Sequence, residues 1–254
     1  MSPTSVAEAE DILTYIDEYL KNESEKKENS LIICPPFVFL DDVSKILNTS
    51  RLAGQAELGA QDIALADSGA WTGEVSGPML KRLGVKYVIV GHSERRWKIG
   101  ESDEVVNKKL KTILVNELTP IVCIGEKERN GEFKEFLRKQ IEATFAGLSV
   151  DDIGKCLIAY EPVWAISTNP GAHPDTPESA LESIKIIQDS LIENRLPAGE
   201  ARKLKTENLP KVLYGGSVNE GNAKLFLSLP EIAGVLVGGA SVRKEEFVGI
   251  IKSS

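Results

Sequence analysis

Histidine and cysteine are scarce in this chain, with two of the first and three of the second among 254 residues. Cys34, Cys123 and Cys156 stand far apart and form no C-x-x-C pair. That argues against a disulfide framework or a zinc site and reads as reduced core thiols. Basic excess is also missing: 30 Lys and Arg face 38 Asp and Glu, a formal charge of −8. Nucleic acid and anionic membrane surfaces demand a basic face, so neither is an expected partner. An anionic substrate would have to be held by local dipoles, since the overall field repels it. No apolar run approaches membrane-spanning length. The first thirty residues are acidic and polar, without an apolar leader core or an Arg-rich amphipathic pattern, so the cytoplasm is the expected location. No linker-like break in composition divides the chain, and residues 1–254 are read as one domain. Its 42% hydrophobic content is ordinary for a protein with a sizeable core.

What the chain does contain is alternation. Short apolar runs recur at Leu31 to Cys34, Leu52 to Ala56, Val85 to Val90, Pro120 to Ile124, Cys156 to Tyr160, Lys211 to Tyr214 and Ile232 to Val237. Helical patterns lie between them, near 37–47, 103–116, 133–148, 177–195, 220–228 and 243–251. Continuous apolar strands separated by helices predict a parallel sheet covered on its outer face. A further helix opens the chain, where Ser5-Val6-Ala7-Glu8 fits a capping box and Val6, Ala9, Leu13, Ile16 and Leu20 recur at helical spacing. The charged stretch from Lys21 to Glu28 reads as a solvated linker. Seven strands are counted, one short of a closed eight-stranded barrel.

The chemistry gathers where strands end. Tyr87-Val88-Ile89-Val90 stops at Gly91-His92-Ser93-Glu94-Arg95-Arg96, delivering a histidine to a face that in parallel barrels carries the active site. A short helix opening at Ser93 would aim its N–H groups at the imidazole and disfavour the imidazolium. Cys156 to Tyr160 delivers Glu161, which Pro162 forces into extended backbone and Val163-Trp164-Ala165-Ile166 covers. A carboxylate and a neutral-capable imidazole are the two parts needed for proton transfer beside a carbonyl. Tyr214-Gly215-Gly216-Ser217 and Val237-Gly238-Gly239-Ala240 place paired glycines after the last two strands. Backbone without side chains lets several amides converge on a phosphate there. Cys123 has no base beside it and reads as core packing. The polar loop Gly69 to Glu74 is tipped by Trp71, as a loop that docks into another subunit would be.

Together these segments resemble the triosephosphate isomerase family, with Cys123-Ile124-Gly125-Glu126 and Tyr160-Glu161-Pro162-Val163-Trp164-Ala165-Ile166 agreeing in order and spacing. The resemblance covers nearly the whole chain from the first helix onward. It implies a TIM (β/α)8-type barrel lacking its first strand and beginning at the first barrel helix. It also implies a cytoplasmic, homodimeric isomerase of glycolysis and gluconeogenesis that acts on a small phosphorylated sugar with no cofactor and no metal. By the same resemblance Glu161 is the base, His92 the electrophile and Glu94 a supporting carboxylate. Gly216, Ser217, Gly238, Gly239 and the backbone of Ser167 bind phosphate, and Trp71-Thr72-Gly73-Glu74 clasps the second subunit. The expected reaction interconverts glyceraldehyde 3-phosphate and dihydroxyacetone phosphate through an enediol(ate).

Two departures shape further expectations. The family's first strand, with its Asn-x-Lys, has no counterpart before Ser5, so an incomplete N-terminus is expected. If the strand is truly absent, a catalytically impaired phosphate-binding or scaffold protein is the alternative. The lid reads Ala165-Ile166-Ser167-Thr168-Asn169 where the family has Ala-Ile-Gly-Thr-Gly. With the Ala70-Trp71 loop, this resembles a branch acting on four-carbon ketose phosphates such as erythrulose phosphate.

Overall fold

The architecture follows from a computed structural model, which describes residues 2–22, 30–193 and 208–254. The linker expected from Lys21 to Glu28 lies largely outside those residues. Among the described residues seven strands appear: β1 (Leu31–Ile33), β2 (Ala56–Ala60), β3 (Tyr87–Val90), β4 (Thr119–Ile124), β5 (Leu157–Tyr160), β6 (Lys211–Tyr214) and β7 (Gly234–Val235). The helices are α1 (Val6–Asn22), α2 (Leu40–Thr49), α3 (Gly77–Arg82), α4 (Asp103–Val115), α5 (Phe133–Thr144), α6 (Val150–Gly154), α7 (Pro177–Glu193), α8 (Ala223–Leu227) and α9 (Lys244–Lys252).

All strand pairs are parallel, and the sheet order is β1-β2-β3-β4-β5-β6-β7. This is a TIM-type barrel one strand short, as the count of apolar runs indicated. Among the described residues β1 and β7 are sheet edges. On the outside, α1 and α9 pack against each other across that opening, and Lys244 Nζ reaches Asp11 at 2.7 Å.

Each strand sends alternate side chains to two cores, as a two-residue period requires. Val88, Val90, Val122, Ile124, Ile158, Tyr160, Val212 and Tyr214 face the helices and are buried in the larger cluster. Ile89, Ile121, Cys123 and Ala159 face inward with Cys34, and half-buried Ile32, Leu213 and Leu236 pack against them. The inner cluster is the smaller of the two, and Ile32, Leu213 and Leu236 at its edge stay partly exposed.

Local signals explain the helix starts. Ser5 Oγ accepts from the Glu8 amide at 3.1 Å, the first half of the expected capping box. The Glu8 carboxylate, however, reaches back to the Thr4 amide at 2.7 Å, one residue earlier than the motif predicts. Thr176 Oγ1 accepts from Ser179, ahead of Pro177 at the first helical position. Ser102 caps α4, whose first turn carries Asp103 and Glu104.

One strand assignment needs correction. The run Leu52 to Ala56 is a turn through Gly54, with φ +79°, and β2 begins only at Ala56. The strand is less apolar than its neighbours because Gly59 must face Cys34. A Cβ built there would lie 2.4 Å from Cys34 Sγ. Helices α3 and α6 are six and five residues long, too short for an apolar period to reveal.

Candidate active site

Register sets the site. Ile124 pairs with Tyr160 and Tyr160 with Tyr214, so the residues that follow, Gly125, Glu161 and Gly215, lie side by side on the rim. The Glu161 amide donates to Ile124 O at 2.8 Å, and the Gly215 amide donates to Tyr160 O at 2.7 Å. Glycine is required on both sides of the carboxylate. A Cβ on Gly125 would fall 1.8 Å from the Glu161 carbonyl oxygen, and one on Gly215 would fall 3.0 Å from Glu161 Cγ.

Glu161 is buried, and its two oxygens have distinct partners. Oε2 accepts from the Ser93 amide at 2.8 Å, while Oε1 lies 3.0 Å from His92 Nε2. On the other side of the ring, His92 Nδ1 accepts from the Glu94 amide at 3.3 Å. A neutral imidazole bonded in this way carries its proton on Nε2, toward Glu161. The expectation of a short helix opening at Ser93 therefore holds. Nδ1 as an acceptor fits the expected neutral ring, while the electrostatics of the pair pull the other way. Burial is the largest influence on His92 and lowers its pKa, but the Glu161 carboxylate outweighs it and leaves the pKa above the ordinary 6.5.

The turn bearing His92 is braced by two arginines that the sequence reading left without a task. Gly91 adopts φ +70°, and buried Arg96 donates from Nε to its carbonyl at 2.6 Å and from Nη1 to Asp103 at 2.5 Å. Arg95 bonds Glu101 at 2.6 Å and Asp62 at 2.8 Å, and buried Lys109 joins the same two carboxylates at 2.7 and 2.6 Å. Residues Arg95–Ile99 form a π-helical turn, a geometry frequent at functional sites.

Glu94 stands apart from the His92–Glu161 pair. Its carboxylate pairs with Lys98 at 2.8 Å, which holds its pKa below the usual range, and only its amide touches His92. The loop after Glu161 is anchored at both ends. Trp164 Nε1 and Tyr160 Oη each donate to buried Glu126 at 2.9 Å, Arg129 approaches the same oxygen, and the His173 ring packs on Trp164 at 4.8 Å. Farther along, the Ser167 amide donates to Ser217 Oγ at 2.7 Å, and Tyr214 Oη donates to Asp175 at 3.2 Å. Burial raises both the Asp175 and Tyr214 pKa values. Asp175 escaped the sequence reading, and Glu126 entered it only within a motif, because nothing local distinguishes a loop anchor from a surface carboxylate.

Ser167, Gly216, Ser217, Gly238 and Gly239 line the same cavity as His92 and Glu161. Gly216 has no room for a side chain, since a Cβ would meet Tyr214 Oη at 2.2 Å, whereas a Cβ on Gly238 would meet nothing within 4 Å. The cavity measures about 2010 Å³ and continues down the interior to Ile32 and Leu213. Typical ligand cavities are roughly 300–1,000 Å³, so only its upper end suits a small molecule. Cys123 is buried behind this floor with its pKa pushed well up by desolvation, as a packing thiol requires. Among the described residues no cluster of three His, Cys, Asp or Glu is arranged to hold a metal, and no helix is long and apolar enough to cross a membrane.

Strand-end Glu161 lies against Nε2 of His92 in a cavity that the Gly215-Gly216 and Gly238-Gly239 loops also line. The family model described as triosephosphate isomerase matches residues 2–254. The chain belongs to the triosephosphate isomerase family. A triosephosphate isomerase of Aquifex aeolicus (strain VF5) is 42% identical over 243 residues, covering 94% of this chain and 92% of the relative. One of Alkaliphilus oremlandii (strain OhILAs) is 40% identical over 236 residues, covering 91% and 89%. One of Dictyoglomus turgidum (strain DSM 6724 / Z-1310) is 39% identical over 243 residues, covering 94% and 92%. The chain is accordingly an isomerase by family.

Proposed function

We propose that this chain interconverts glyceraldehyde 3-phosphate and dihydroxyacetone phosphate, with Glu161 as the base and His92 as the electrophile. The observation that carries the reading is the 3.0 Å approach of Glu161 Oε1 to His92 Nε2, with Nδ1 already bonded to the Glu94 amide. A substrate carbonyl entering between them would take over the Nε2–H. Glu161 then removes a proton from the carbon beside that carbonyl, and the electron pair moves onto oxygen to give an enediolate. His92 gives its Nε2 proton to that oxygen and takes one from the neighbouring hydroxyl. Glu161 returns its proton to the adjacent carbon, so atoms and electrons balance with no external oxidant.

Neutral histidine fits this role. When Glu161 turns toward substrate, the influence that raises the His92 pKa weakens, and burial favours the uncharged ring. The ester phosphate is read as resting on Gly216, Ser217, Gly238 and Gly239. The Ser167 amide of the lid is within 2.7 Å of Ser217 Oγ and would join them on closure. Excluding water at that point protects the enediolate. Glu94 acts in this reading through its backbone, orienting the ring.

The same reading assigns residues 1–254 to one domain working in the cytoplasm. It also places the Trp71-Thr72-Gly73-Glu74 loop against a second copy of the chain. Trp71, Met79 and Ile99 are exposed apolar side chains that such a contact would cover.

The test is turnover of glyceraldehyde 3-phosphate and erythrulose phosphate by one preparation, with 2-phosphoglycolate binding measured in parallel. Preference for the triose supports the proposal, and preference for the tetrulose moves the substrate to four carbons. Binding without turnover of either would leave a phosphate-binding protein and overturn the isomerase reading.

A further inference from the structure

A phosphate dianion beside Glu161, in a chain of net charge −8, needs a counter-charge close to the glycine cradle. Most cationic side chains along the cavity are placed elsewhere or already engaged. Lys21, Arg51 and Lys211 sit at the far end of the strands, Lys211 being the first residue of β6. Arg95 bonds Asp62 and Glu101, Lys98 bonds Glu94, and Lys127 lies over the Trp97 ring. Among the described residues lining the cavity, the cation beside the cradle is Arg243, which also carries an ion pair, to Glu246.

Its position is specific. The last glycine pair opens a 3-10 turn over Gly239–Val242, and Arg243 follows directly, at the N-cap of α9. The Arg243 amide donates to Ala240 O at 3.1 Å, so the side chain starts at the edge of the turn. A Cβ built on Gly239 would meet one neighbouring group within 4 Å, and that group is Arg243 Nη1 at 3.9 Å. The guanidinium thus borders the space that the missing side chain leaves open.

Its orientation is also fixed. Arg243 Nε donates to the Glu246 carboxylate, three residues on in the first turn of α9. A guanidinium is a planar fork whose Nε–H shares one edge with one Nη, so engaging Nε leaves the remaining Nη edge directed away from Glu246.

We propose that Arg243 is a substrate-binding residue of this site, closing on the ester phosphate from the α9 side while Glu246 holds its plane. The inference rests on the Gly238–Gly239 loop being the phosphate cradle.

Calorimetric titration with 2-phosphoglycolate and with inorganic phosphate, each at low and high salt, tests it. Arg243→Gln is expected to weaken both ligands roughly tenfold, the size of one charged hydrogen bond, and to flatten the salt dependence. Arg243→Lys should recover part of the affinity, since it keeps the charge but loses the fork. The thermal midpoint should not move, because the side chain is 60% exposed. Wild-type affinity and salt slope in Arg243→Gln, with wild-type binding intact, would refute the role of Arg243 alone. No binding of either ligand by the wild type would overturn the cradle itself and this inference with it.

Discussion

Shortening the proposed base by one methylene is the sharpest perturbation of the site. Glu161→Asp keeps the charge and the strand but withdraws the carboxylate by about 1.5 Å, one carbon–carbon bond. Oε1 now sits 3.0 Å from His92 Nε2 and Oε2 sits 2.8 Å from the Ser93 amide. After withdrawal at least one of these distances exceeds hydrogen-bond reach. The flanking strands cannot follow to compensate. The Glu161 backbone is pinned to Ile124, and Gly125 leaves no slack against its carbonyl. A misplacement of about 1 Å costs on the order of 100-fold when the reacting groups must be aligned. We expect kcat to fall by at least that factor with KM little changed, because the phosphate contacts are untouched. The assay is coupled oxidation or reduction of a nicotinamide by a linking dehydrogenase, with circular dichroism confirming an unchanged fold. A variant within a few-fold of wild type would remove Glu161 from the chemistry, whatever the geometry suggests.

Three further expectations follow from other parts of the molecule. Gly125→Ala would press a Cβ to 1.8 Å from the Glu161 carbonyl oxygen, so the rim must shift. A loss of roughly 1–3 kcal/mol in denaturant unfolding, with turnover lost as well, is expected. His92 has a raised folded pKa, so its pairing with Glu161 contributes stability fully below 6.5 and loses it as pH rises through the folded value. The melting-temperature gap between wild type and His92→Asn should therefore narrow as pH rises above 6.5, and a gap that widens would reverse the sign. Finally, β1 and β7 have one sheet partner each among the described residues. Amide exchange should be fastest there and slowest in β4 and β5, and equal protection throughout would mean the opening is filled.

The sequence disclosed this fold unevenly, for physical reasons. A parallel strand buried on both faces is a continuous apolar run, so β3, β4, β5 and β6 were legible nearly to the residue. β2 was displaced because Gly59, needed for its approach to Cys34, dilutes the run, while Leu52 before the Gly54 turn imitates one. Glu161 and His92 were legible because a charged or titratable residue interrupts an apolar run at a strand end. The turn supports were not. Arg96 bonds Gly91 and Asp103 nearby but also reaches Cys123, 27 residues away, and Glu126 accepts from Trp164, 38 residues away, and no local pattern carries those separations. The direction of a side chain was equally hidden. Glu94 lies two residues from His92, yet its carboxylate turns to Lys98.

The account stands on Glu161 removing a proton from carbon next to a carbonyl, and that event can be watched directly. Dihydroxyacetone phosphate incubated with the protein in deuterium oxide, followed by proton NMR, reports it without any coupling enzyme. The wild type should place deuterium on the carbon beside the carbonyl, and Glu161→Gln should abolish the exchange. No exchange with folded wild-type protein, or equal exchange in both, would contradict it.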